Sequence, residues 1–288
     1  MVGIKERRVI SWNICAGCNY GCSYCSQGRV HAGFPTDAQV SAVTGFFSRL
    51  GAQGSWEVKI SGGEPFYYPR FLEAVEALVE AGMTISVVTN FSFSRGLYRE
   101  FLAVTRDQLR SFSVSLHREK VDWRDFLKKC RWLARKIART ERGSLVVNAV
   151  VEPGRVAELV PIKRAFEGEG IRFYPQLLRR RGRPVEYGPE ETVVIRDLAG
   201  DRKPFEINMG YSLKGSTCYA GIYYFIITQE GKCYTCYPGK RDGAGYMGDL
   251  TVRDFVFRKE PIICPYDVCP CTVPINRGMI SPVVTSPV

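Results

Sequence analysis

Histidine is nearly missing from this sequence: His31 and His117 are the only two, so chemistry built on several histidine ligands is all but excluded. No stretch approaches the roughly 18 uninterrupted apolar residues of a membrane span. Residues 1–10, MVGIKERRVI, lack the long apolar region of a secretory signal. Internal repeats and low-complexity segments are also lacking, which sets aside solenoids and disordered arrays. Together these absences predict a cytoplasmic protein with no membrane partner. The 288 residues, 45% hydrophobic and 12% aromatic, are enough for one full domain and a smaller module.

Cysteine, by contrast, is plentiful. Eleven are present, and in a reducing cytosol metal ligation is the leading reading, because disulfides rarely persist there. Cys15, Cys18, Cys22 and Cys25 crowd the start, while Cys218, Cys233, Cys236, Cys264, Cys269 and Cys271 crowd the end. Cys130 lies alone between them in a helical segment and reads as a buried structural thiol. The formal charge of +11 suggests an anionic partner such as a nucleotide, a phosphorylated metabolite, nucleic acid or an acidic peptide. The densest basic run, Arg179, Arg180, Arg181 and Arg183, fits such a role and fits a solvated loop equally well.

Apolar runs rich in β-branched and aromatic residues alternate with helical patterns, as expected of βα units around a parallel sheet. Strands are predicted at 8–14, 56–61, 83–89, 111–116, 144–151 and 171–178. Thr36 caps a helix reaching about Leu50. A second helix carries Pro69 in its first turn and stops at Gly82, and a third follows Ser94. A strongly basic helix spans about Trp123 to Thr140, and another about Val156 to Glu167. The repeat fits an α/β fold: a partial (β/α)6 TIM-type barrel over 1–182, with its site at the C-terminal ends of the strands. Gly, Pro and charge dominate RGRPVEYGPEE, so a linker is expected at 183–204 and a small cysteine-rich module at 205–288. Within that module, IYYFIITQEGKCYTCYP reads as a β-hairpin turning at Glu230-Gly231. The tail SPVVTSPV reads as loosely held.

The segment CNYGCSYC sets Cys18, Cys22 and Cys25 at C-x3-C-x2-C spacing in a loop after the first strand. Three thiolates so close in sequence wrap one metal centre. Zinc usually wants a fourth close ligand, whereas a cubane cluster held by three cysteines leaves one iron open. With Tyr24 just before the third cysteine, this spacing resembles that of the radical S-adenosylmethionine (SAM) superfamily. The next strand ends in Ser61-Gly62-Gly63-Glu64-Pro65, similar to the superfamily's GGE motif at the corresponding place. Here glycines let the backbone approach the methionine part of SAM, and a carboxylate answers its ammonium. Weaker candidates for SAM contact lie at later strands: Asn90, Ser115, His117 and Asn148, with Gln176 on the sixth. His117 also reads as a rim histidine without a role.

The resemblance covers roughly residues 8–180 and implies a [4Fe-4S] cluster, SAM and an electron donor such as flavodoxin or ferredoxin. It implies reductive cleavage of SAM to a 5′-deoxyadenosyl radical that takes hydrogen from substrate, with the hard chemistry carried by the cofactors.

Downstream, Cys218, Gly231 and Cys236 form a C-x12-G-x4-C pattern that resembles the opening of the SPASM or twitch extension. That likeness implies one auxiliary [4Fe-4S] cluster on Cys218 and Cys236 plus two of Cys264, Cys269 and Cys271. A structural zinc is the plainer alternative, since four thiolates suit it too. Cys15 and Cys233 are left over, as inert thiols or as a hydrogen donor to a substrate radical. The leading expectation is an oxidoreductase or modifying enzyme acting on a peptide or small metabolite by oxidation, crosslinking or epimerisation. Modification of a nucleotide or RNA is a second reading, and a non-catalytic zinc-bearing nucleic-acid-binding protein a third.

Overall fold

The computed structural model describes residues 8–25, 33–140, 142–200, 212–269 and 271–281. His31, the last seven residues of the tail and most of the segment where linker and module were expected to meet lie outside them. Six parallel strands follow one another: β1 (Val9–Cys15), β2 (Glu57–Gly62), β3 (Thr84–Thr89), β4 (Leu109–Leu116), β5 (Ser144–Val151) and β6 (Arg172–Leu177). Between them run α1 (Asp37–Gly51), α2 (Phe71–Glu80), α3 (Arg95–Thr105), α4 (Trp123–Ile137) and α5 (Leu159–Gly168). Each pair of neighbouring strands is in parallel register from β1 to β6, which makes the barrel-like wall expected from the sequence.

Period-two alternation decides which side chain goes where. On β4, Phe112, Val114 and Leu116 are buried against the helices, while Ser111, Ser113 and Ser115 line the lumen. β5 does the same, with Val147, Ala149 and Val151 outward and Asn148 inward. Hydroxyls and amides interrupt the valines of the lumen, a departure from the apolar filling usual in closed barrels. Capping fixes the helix starts. Thr36 and Gln39 form a reciprocal capping box on α1, Ser94 caps α3 and Asp122 caps α4, each worth about 1 kcal/mol. Pro69 stands in the turn before α2, not in its first turn, because that helix begins at Phe71.

Two expectations are corrected after β6. The arginine run is not a loop: Arg179–Arg180 (β7) and Arg183–Pro184 (β8) form a two-stranded ribbon. The expected linker at 183–204 holds a helix, α6 (Pro189–Ala199), with Pro189 at its start and Glu190 and Glu191 in its first turn. Ile195 and Leu198 sink into the same core as the barrel helices, so this segment is part of the domain's packing and not a tether.

The C-terminal region is joined to the barrel sheet. β9 (Thr217–Cys218) is followed by β10 (Tyr224–Ile227), which pairs in parallel with β1, Val9 opposite Tyr224. β11 (Lys232–Tyr234) and β12 (Tyr246–Asp249) continue antiparallel, and the β10–β11 turn contains Gly231 at φ +90°, as the hairpin reading required. The result is one nine-stranded sheet ordered β12-β11-β10-β1-β2-β3-β4-β5-β6. α7 (Tyr237–Asp242) follows the hairpin, and β13 (Ile262–Ile263), α8 (Val273–Asn276) and β14 (Ile280–Ser281) close the chain, β13 and β14 flanking β9. No helix among the described residues is long and apolar enough to cross a membrane.

Candidate functional site

β1 ends at Cys15, and the chain turns at once into the first cysteine loop. The turn is tight because β2 ends in glycines. A Cβ on Gly62 would collide with the Cys15 carbonyl oxygen, and one on Gly63 with those of Ala16 and Gly17. Gly62 also sits at φ +138°, a conformation that side-chain-bearing residues rarely adopt. Backbone bonds seal the contact: Gly63 N donates to Cys15 O at 2.7 Å, and Glu64 N to Gly17 O at 2.8 Å. These glycines therefore serve first to let two strand ends close on each other, a reason that differs from the approach to SAM expected from the motif.

Glu64 departs further from expectation. It is fully buried and does not line the cavity. One carboxylate oxygen accepts from Thr89 Oγ1 at 2.7 Å and Phe66 N at 3.1 Å, the other from Asn90 N at 2.6 Å. The side chain thereby ties the end of β2 to the end of β3 and positions Asn90. Burial pushes its carboxyl up to about 7, against the pull of the hydrogen bonds from Asn90, Thr89 and Phe66.

Most of the other expected residues meet around one cavity of 390 Å³, lined by Cys18, Cys22, Tyr24, Cys25, Gly62, Gly63, Asn90, Ser115 and His117. Tyr20 N donates to Cys18 Sγ at 3.4 Å, and Asn90 Nδ2 lies 3.9 Å from the same sulfur. Asn90 Nδ2 also donates to Asn19 Oδ1 at 2.8 Å, which pins the loop to β3. His117 Nδ1 lies 3.0 Å from Tyr24 Oη and 3.4 Å from Cys22 Sγ, with the Tyr24 and His117 rings stacked. His117 is thus held within the site. Burial lowers its pKa and keeps the ring neutral, while burial pushes the Cys22 thiol up to about 12.

Asn148 is not among the residues around that cavity. It lines an adjoining space of 300 Å³ in the lumen, where its Nδ2 donates to Ser113 Oγ at 2.5 Å. The two spaces share Val88, Ser115, His117 and Val150 in their walls. Sequence reasoning missed Tyr20, Glu119, which accepts from Ser23 N and Oγ to brace the loop, and Lys59 with the lumen serines. The alternation in SFSVS and in WEVKIS was the available signal.

The second cysteine group assembles inside a separate buried cluster with Val9, Ile226, Ile275 and Met279. Cys218 comes from β9, Cys236 caps α7, and Cys264 follows β13. The Cys218 thiol hydrogen-bonds to Cys264, which lowers Cys264 and raises Cys218, and Cys236 and Cys269 lie within electrostatic reach of the same group. Cys271 turns toward the barrel, its Sγ 3.3 Å from Tyr224 Oη, which lies 3.2 Å from Ser11 Oγ. Cys15 and Cys233 are buried in the barrel core and line neither cavity; the Cys15 thiol donates to Glu64 O at 3.4 Å.

Among the described residues, no three His, Cys, Asp or Glu side chains converge as a single metal ion requires. A cubane makes a different demand, because it spreads its ligand sulfurs over separate metal atoms. On this test the first loop fits. Cys18, Cys22 and Cys25 border one cavity, near enough for Cys25 to raise the cost of charge on Cys18 and for both to raise it on Cys22, and the N–H groups of Tyr20 and Asn90 point at a sulfur, as a thiolate needs.

Residues 12–141 match the family model of the Radical SAM superfamily. No curated protein matches the chain. Among solved structures, the chain is similar to Streptococcus suis SuiB bound to S-adenosylmethionine, at 13% identity and TM-score 0.63, over 86% of this chain and 64% of that one. It is also similar to BtrN in complex with AdoMet and 2-DOIA, at 15% identity and TM-score 0.50, over 86% and 80%. A third is native anSMEcpe with bound AdoMet and the Kp18Cys peptide, at 14% and 0.58, over 85% and 78%. At these identities the likeness is one of fold, and the chain spans just under two thirds of the SuiB structure's length.

Proposed function

Residues 12–141 are a radical SAM domain, and from that premise we propose that the chain is an enzyme that cleaves SAM reductively and takes hydrogen from a peptide or small metabolite. The observation that carries the reading is the shared cavity: Cys18, Cys22 and Cys25 on one wall, the Gly62-Gly63 backbone on another, and the polar lumen beyond. These three cysteines would hold a [4Fe-4S] cluster, which when bound supplies the electron that opens a carbon–sulfur bond of SAM. The chain's own part is positional. Asn90 fixes the loop at Asn19, Glu64 and Thr89 fix Asn90, and Tyr24 with His117 forms a wall that excludes water. Ser115 and His117, at the boundary of the two spaces, are placed to meet SAM and substrate together.

The second group would hold one auxiliary cluster on Cys218, Cys236, Cys264 and Cys269, joined by the Cys218–Cys264 hydrogen bond and by the electrostatic reach of Cys264 to Cys236 and Cys269; Cys271 is set aside because its sulfur faces Tyr224. A peptide substrate is supported by the fold's likeness to SuiB and anSMEcpe, which have structures with bound peptides, and a small metabolite by the likeness to BtrN with 2-DOIA. The direct test is anaerobic incubation of the reconstituted chain with SAM and a strong reductant. Formation of 5′-deoxyadenosine is expected, and none at all from chain with full iron content would end the reading.

A further inference from the structure

The lumen contains one cation that the fold leaves uncompensated. Lys59 stands on β2 and lines the 300 Å³ space, where Glu57 is the only acidic wall residue among the described residues. That carboxylate is already committed: it takes Arg277 Nη2 at 2.6 Å, Arg110 Nε at 3.1 Å and Ser86 Oγ at 2.7 Å. Lys59 itself has neither an ion pair nor a hydrogen bond among the described residues. A half-buried ammonium in a concave space, with its nearest acid taken, creates a positive potential that an anionic ligand relieves.

The rest of the wall indicates which anion. Ser113 accepts from Asn148 and so has its own hydroxyl hydrogen to give. Gln176 and the lumen serines add further neutral donors. Arg277 also lines the space but is paired with Glu57, and Arg110 is half-exposed to solvent, so the charge left for a ligand is that of Lys59 among neutral donors, which suits a monoanion, whereas a phosphate near neutrality carries up to two charges and is usually met by several cations or a run of backbone N–H groups. Distance sets the size of the ligand. Lys59 precedes Ser61 by two residues and Gly63 by four, about 7–13 Å along a strand.

We infer that the barrel lumen holds a carboxylate of the substrate on Lys59, with the reacting part of the same molecule reaching past Ser115 and His117 into the cysteine-lined cavity. This inference rests on the function proposed above and names the substrate class of that site. The carboxylate bonds to the Lys59 ammonium and to Ser113, about two to four residues of extended chain away from the carbon that loses hydrogen.

The test uses the full chain with its clusters reconstituted and SAM bound. Reductive methylation of lysines, read by peptide mass spectrometry, is compared with glutarate, glutaramide or inorganic phosphate added at equal concentration. Glutarate should protect Lys59 several-fold and leave the exposed Lys128 unprotected, while glutaramide and phosphate protect neither. In titration calorimetry, Lys59→Met should weaken glutarate binding about tenfold or more, the worth of one charge-assisted hydrogen bond, and Lys59→Arg should retain most of it. Equal labelling in every arm overturns the inference, and stronger protection by phosphate overturns it in favour of a phosphorylated substrate. Formation of 5′-deoxyadenosine is scored separately, so loss of that activity and loss of the carboxylate subsite are told apart.

Discussion

The two cysteine groups are built on opposite principles. Cys18, Cys22 and Cys25 come from eight consecutive residues on one loop, and all three border a cavity that opens beyond them. Cys218, Cys236, Cys264 and Cys269 come from separate elements and sit within an apolar cluster, three of them buried. A site that must admit reactants needs a face without protein, and a loop supplies it by leaving one side uncovered. Four thiols drawn from distant parts of the chain would enclose anything they held, which suits an electron store or a staple. The contrast teaches that ligand spacing in sequence carries information about access as well as about affinity.

The largest expected effect comes from breaking the contrast at its core. Cys18→Ala should abolish 5′-deoxyadenosine formation while iron at the second group persists. Cys264→Ala should lose the second group's iron, lower the melting temperature and leave the first group's iron in place; Mössbauer spectra and iron counts of both variants report the outcome. Loss of all iron in either variant would mean that the groups are not independent.

Gly63→Ala should come next. Its methyl meets two backbone carbonyls that belong to the first loop, and overpacking of this kind costs about 1–3 kcal/mol. The loop should be displaced, with iron at the first site and SAM affinity falling together in equilibrium binding, while the second site is spared. The last effect bears on stability alone and is one of pH. Glu64 has a folded-state pKa near 7, raised by burial, so the stability it contributes is fully present below the ordinary carboxylate range and is lost as pH rises through about 7. The stability difference between the wild type and Glu64→Gln should therefore shrink between pH 5 and 8 by on the order of a few kcal/mol. A pH-independent difference in chemical denaturation would refute the burial argument.

How much of this was legible beforehand varies with how local the signal is. All six barrel strands were readable, because the alternation in segments such as SLVVNAVV depends on adjacent residues alone. The first cysteine loop and Gly62-Gly63 were readable for the same reason. The choice among Cys264, Cys269 and Cys271 was not, since it depends on which way the chain turns after β13. Glu64 reads as a ligand beside two glycines, and only the approach of Thr89 and Asn90 shows its carboxylate to be occupied. α6 was hidden because Pro and Gly suggest a break, although Pro189 at a first helical position with acids behind it is also a helix start. Lys59 was legible only as far as the alternation in WEVKIS, which sets it on one face of its strand with Glu57 and does not say that this face is the lumen.

The pairing of β10 with β1 has a consequence for how the protein is made. Ala16 N at the head of the first loop donates to Gln229 Oε1 of the hairpin at 2.7 Å, across 213 residues of sequence, and Tyr237 Oη donates to Asn13 Oδ1 on β1. During synthesis the first cysteines leave the ribosome about 200 residues before the strand that flanks them. A nascent chain stalled before residue 224 would present the first loop's thiols beside an unpaired sheet edge, open to oxidation and to the wrong metal.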